Sequence, residues 1–132
     1  MADLSSIFDG VIDNDIPVKP PIAVLKELGA EFEKLTKGLL STEVEQRYYS
    51  SRESMQASFI INAPSLNNYS YEVFEINYDL NFYPLTISCR QFDTESKEAA
   101  NQEELETILK DIFLSPGVKK VVNGLLAQIK YA

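Results

Sequence analysis

From Pro21 onward the apolar positions Ile22, Leu25, Leu28, Phe32, Leu35 and Leu39 recur every three or four residues, while Lys26, Glu27, Glu31, Glu33, Lys34 and Lys37 fill the positions between. That spacing predicts an amphipathic helix over about residues 21–40, and a proline suits its first turn because the N–H there has no helical partner. The period then falls from 3.6 to 2. Alternation of apolar and polar residues predicts strands at about 43–51, 55–63, 69–78 and 82–92, separated by "SRES", "APSLNN" and "DLNF". Each connection is too short for a crossover helix, so consecutive strands should pair antiparallel. After the charged stretch "DTESKEAAN" come two more helical stripes, Leu105, Ile108, Leu109 and Ile112, then Val118, Val121, Val122, Leu125 and Ile129. Between them Ser115-Pro116 reads as the cap and first turn of a last helix at about 116–130.

Ahead of this pattern, Leu4, Ile7, Phe8, Val11, Ile12 and Ile16 also follow helical spacing, with Asp3 placed to cap and Gly10 weakening the middle. The following "DNDIPVKPP" is rich in proline and charge and favours an extended connection. Residues 1–19 therefore read as an N-terminal amphipathic arm with a Pro-rich connection, and residues 20–132 as a single α+β domain. The expected fold is a four-stranded antiparallel β-meander covered on one face by helices, in the order α-α-β-β-β-β-α-α, because that layering buries every apolar stripe. Phe32, Leu35, Phe59, Ile76, Ile87, Leu109, Val122 and Leu125 are the expected core.

Strand parity assigns the faces, since alternate residues point to opposite sides and paired residues share a side. A four-residue hairpin at "DLNF" pairs Tyr78 with Tyr83, Ile76 with Leu85, Phe74 with Ile87 and Glu72 with Cys89 on the core side. The opposite side then pairs Glu75 with Thr86, Val73 with Ser88 and Tyr71 with Arg90. Carried through the other hairpins, parity places Ala57, Phe59, Ile61, Val44 and Tyr48 inside, with Tyr48 and Tyr49 exchanging faces if the first hairpin slips by one residue. It leaves Arg47, Tyr49, Ile60, Tyr69, Tyr71, Val73 and Arg90 on the open face. Tyrosine and arginine with a few aliphatics are enriched where proteins bind one another, so these seven residues are the candidate partner-binding set. Strand propensity alone would also place tyrosine and β-branched residues on a solvated sheet.

Composition narrows the function classes. A chain of 132 residues with 45% apolar and 24% charged positions can bury a full core, and its net charge of −8 disfavours nucleic acid and anionic membranes as partners. There is no histidine, which removes imidazole bases and histidine metal ligands, and the only cysteine, Cys89, falls on the core side. "DNDIP" resembles the start of a calcium loop but lacks its glycine and distant glutamate, and the five glycines form no phosphate loop. No catalytic residue, cofactor site or metal site is expected. The start of the chain has no secretory signal pattern and no run reaches the ~20 apolar residues that span a bilayer, so a cytoplasmic location is expected.

No family motif is recognisable. In shape and charge alone the pattern is similar to the chaperones of secreted effectors and to immunity proteins that block toxins, although those chaperones return to strands where this chain ends in two helices. The expected function is protein interaction, with another protein or a second copy, through the open sheet face or the N-terminal helix. An immunity-like inhibitor of a basic toxin and a carboxylate-dependent enzyme are the alternatives.

Overall fold

The computed structural model describes residues 4–11, 19–49, 54–90 and 96–131. Among them, α1 (Pro21–Leu35) is followed by β1 (Ser41–Tyr49), β2 (Ser54–Ala63), β3 (Tyr69–Tyr78), β4 (Leu85–Ser88) and β5 (Lys97–Ala99), then α2 (Gln102–Leu114) and α3 (Pro116–Lys130). The strands form one antiparallel meander in sequence order. The α+β class and the antiparallel meander agree with the sequence pattern. The fifth strand and the element order do not.

β5 has no signal in the sequence pattern, because Lys97 and Glu98 are exposed and only Ala99 is buried, so it carries no apolar alternation. β4 is shorter than expected because Pro84 has no N–H to give to a ladder, and pairing begins at Leu85. Within the described residues the first expected helix is a 3₁₀ turn, Leu4–Phe8, and Ile7, Phe8 and Val11 stand 66%, 57% and 67% exposed. The expected helix beyond Val11, the turn at 50–53 and the strand end with Phe92 lie outside the described residues.

α1 stops at Leu35 rather than near residue 40. Lys37 and Gly38 adopt positive φ (56° and 76°), and the Gly38 N–H donates to the Glu33 carbonyl at 2.9 Å, a left-handed exit that closes the helix. The buried line of α1 runs through Pro21, Val24, Leu25 and Gly29 and continues past the helix to Thr36 and Leu40. Leu35 falls off that line and is 78% exposed, which corrects its assignment to the core. Phe59, Ile76, Ile87, Leu109 and Leu125 are buried as expected, whereas Phe32 and Val122 are half-buried.

One side of the sheet supplies Ala57, Phe59, Phe74, Ile76 and Ile87 to the core, against Val24 and Leu25 of α1 and Leu105, Leu109 and Ile112 of α2. Phe59 and Phe74 stack with ring centroids 5.3 Å apart, and Phe113 meets both edge-on at 5.9 and 6.4 Å. Phe32 approaches Phe113 at 6.2 Å, so aromatic contact is continuous from the sheet through α2 to α1. The Asn101 side chain caps α2, accepting from the Glu104 N–H at 2.9 Å. Ser115 does not cap α3 with its side chain; its hydroxyl donates back to the Ile112 carbonyl at 2.6 Å.

Candidate functional site

A bulge in β3 decides which residues reach the open face. Phe59 pairs with Phe74, but the next residue of β2, Ile60, pairs with Glu72, so Val73 is an extra residue with no partner of its own. The loop before β3 is also one residue shorter than expected, since Ala63 pairs with Tyr69 and the turn is Pro64–Leu66 followed by Asn67 and Asn68 at positive φ. Together these shifts move the far half of β3 by two residues, preserving its faces, and the near half by one, reversing them.

The consequence is a correction to the candidate set. Val73 is buried at 3% exposure. Tyr71 pairs with Ile61 and packs half-buried against the core. Tyr69 pairs with Ala63 and turns to the helix side, where it borders a cavity with Leu66, Lys120 and Val121. Arg90 lies exposed in a turn beyond Ser88, and the β3–β4 ladder runs only from Glu75–Ser88 to Asn77–Thr86, so it does not set Tyr71 across from Arg90. In that ladder Ile76 pairs with Ile87 rather than with Leu85.

Arg47 and Ile60 keep their expected places, on the open face with Glu45, Ser58, Ser70, Glu72 and Glu75 around a shallow depression of about 340 Å³. Arg47 donates to Glu45 at 2.9 Å. Tyr49 pairs with Ser54 at the hairpin end, and its side chain lies outside the described set. The open face is therefore polar and carries more acid than base, not the tyrosine-rich patch that uninterrupted parity implies.

The apolar surface lies instead between α1 and α2. A groove of about 530 Å³ is walled by Val24, Leu28, Phe32 and Leu35 of α1 and by Leu109, Phe113 and Leu114 of α2, with Glu27, Glu31, Glu106 and Lys110 at its margins. Leu35 and Leu114 are 78% and 53% exposed there. Helical periodicity alone does not reveal this groove, because it predicts a single buried stripe on each helix. The run Ile112-Phe113-Leu114 makes the apolar arc of α2 wider than one sheet-facing stripe requires, and that excess was the available signal. Lys19 pairs with Glu27 beside the start of α1.

Near α2, Tyr83 has its Oη buried with no hydrogen-bond partner among the described residues. Burial first, and the charge of Glu106 second, raise its pKa above the ordinary tyrosine value. The folded state thus holds the phenol proton more tightly than the unfolded chain does. The stability from this site is fully present below about pH 10 and is lost as pH rises through the raised folded-state value. Tyr83→Phe removes a desolvated hydroxyl that makes no bond, so near pH 7 it should be neutral or stabilise by up to about 1 kcal/mol. Urea unfolding at pH 7 and above pH 10 checks both points: the variant should gain on the wild type as the medium becomes alkaline, and a parallel decline of the two would exclude the assignment.

Among the described residues there is no group of three or more histidine, cysteine, aspartate or glutamate side chains placed to hold a metal ion, and no helix long and apolar enough to cross a membrane. Compared with protein-family models, curated proteins and solved structures, the chain matches none.

Proposed function

We propose that this protein is a small, acidic, cytoplasmic interaction module that captures a helical segment of another protein, apolar on one side and basic at its margins, in the groove between α1 and α2. The observation that carries this reading is the exposure of Leu35 and Leu114 beside the half-buried Phe32 and Phe113, at the mouth of a groove that no described element fills. Large apolar side chains gathered at one exposed place mark interaction surfaces far more than the same residues scattered singly. From Val24 to Leu35 the wall is about 16 Å long, the length of three turns of a docked helix.

Charge supports a basic occupant over the chain's own arm. Glu27 and Glu31 on one wall and Glu106 on the other outnumber Lys110, and the whole chain carries −8. The arm brings Asp3, Asp9, Asp13 and Asp15 against those acids, whereas lysine or arginine flanking an apolar stripe would be attracted and correctly oriented. An inhibitor of a basic toxin is one form such a module takes.

A synthetic amphipathic peptide of leucine and lysine, about 14 residues long, provides the test by NMR titration of the full chain. Amide shifts should concentrate on α1 and α2 and vanish in a Leu35→Glu/Leu114→Glu variant, whose substitutions lie at exposed positions that folding tolerates. Shifts spread over the sheet, or equal binding of a glutamate-flanked peptide, would reject the groove as the site.

A further inference from the structure

We propose that β1 is a self-association edge, along which two copies of this chain pair antiparallel about a two-fold axis at Gln46. Among the described residues β1 is the terminal strand of the meander and pairs only with β2. Its main-chain direction is marked by Thr42, whose N–H donates away from β2 to Glu33 Oε1 at 2.9 Å. Because main-chain groups alternate along an antiparallel strand, Val44, Gln46 and Tyr48 direct theirs the same way, toward a side where the described residues place no further strand. Glu33 closes the Thr42 end, so the open template runs from Glu43 to Tyr49.

Hydrogen-bond direction restricts self-pairing to registers in which Val44, Gln46 and Tyr48 face one another, and charge selects among these. With the axis at Gln46, Glu45 of each copy lies across from Arg47 of the other on the open face, twice per dimer. On the helix side, Val44 lies across from Tyr48, which is 64% exposed in the single chain. Moving the axis to Glu45 sets two glutamates against each other, and moving it to Arg47 sets two arginines together, both unfavourable across a strand pair. Charges of a single sign on an edge strand prevent pairing; here the two signs alternate along one face and are complementary to themselves. The Glu45–Arg47 pair within each chain exchanges for two pairs between chains, leaving neither charge unmatched.

A seven-residue strand buries little surface, so assembly belongs at about 0.1 to 1 mM, measured by sedimentation velocity of the full chain in low salt. A concentration-dependent dimer is expected. Glu45→Arg should weaken it about tenfold or more by setting arginines against arginines, and Glu45→Arg/Arg47→Glu should restore it to within about threefold. A wild type that stays monomeric, a dimer that Glu45→Arg leaves unchanged, or a double reversal that fails to recover would each overturn the proposal. Independent of these charges, Gln46→Cys in a Cys89→Ser background should form a disulfide-linked dimer on oxidation, because the axis brings residue 46 of each copy together. A chain that remains uncrosslinked would overturn it as well.

Discussion

Truncating Phe59 to alanine is expected to cost about 3 to 5 kcal/mol, at the upper end for a core substitution. The ring is fully buried in the centre of β2, stacked on Phe74 at 5.3 Å and met edge-on by Phe113 at 5.9 Å. Removing it forfeits the transfer energy of the whole aromatic side chain, leaves a cavity, and breaks two ring contacts worth about 0.5 to 1.5 kcal/mol each beyond their area. Against a total stability of about 5 to 15 kcal/mol, that is a large fraction. Because Phe113 also floors the α1–α2 groove, the damage should extend to peptide capture, while a loss elsewhere in the core, such as Ile87→Ala, should lower stability with less effect on the groove. Urea unfolding checks the first part: a midpoint shift equivalent to less than about 1 kcal/mol at unchanged slope would show that Phe59 is not the central contact.

The core was legible in the sequence because apolar period survives errors of register. Phe59, Ile76 and Ile87 fall inside as expected although the β2–β3 register at Phe59 and the β3–β4 register each differ by two residues, since a shift of two returns each side chain to the same face. The open face was not legible, since a bulge shifts one strand by a single residue and reverses everything beyond it. Glu72 held the evidence: parity without a bulge sets this carboxylate on the core side opposite Cys89, where it has to reach solvent at the sheet edge or find a lysine on a covering helix to offset its desolvation. In the structure the extra Val73 turns Glu72 outward beside Ile60 and brings Tyr71 inward. A buried charge in a pattern-based assignment is thus better taken as a sign of irregular pairing than as an active-site carboxylate.

The interaction groove was hidden for a different reason. Leu35 extends the apolar periodicity of α1, and periodicity cannot distinguish a residue facing the sheet from one facing a neighbouring helix. What separates them is where α1 lies, and one close approach to β1 bears on its placement. A Cβ built on Gly29 would overlap Thr42 Oγ1 and lie 3.3 Å from Thr42 Cβ and 3.6 Å from the Phe59 ring. Glycine at this buried helical position allows the backbone of α1 to settle against β1, with Glu33 one turn on accepting from the Thr42 N–H.

Gly29→Ala therefore sets two effects of opposite sign against each other. Helix propensity favours alanine by about 1 kcal/mol. Overpacking a tight contact costs about 1 to 3 kcal/mol, and the obstacle here is a β-branched side chain fixed on a strand rather than the free end of a flexible one. The clash should win, giving a net loss of up to about 2 kcal/mol and a small outward shift of α1 that widens the groove and weakens peptide capture. Thr42→Ala removes the obstructing hydroxyl and methyl, so in that background Gly29→Ala should reverse sign and stabilise by up to about 1 kcal/mol. A double-mutant cycle of unfolding free energies measures the coupling directly. If Gly29→Ala stabilises the chain with Thr42 in place, α1 does not lean on β1 at this point, and the width of the groove between α1 and α2 must be set by other contacts, the approach of Phe32 to Phe113 among them.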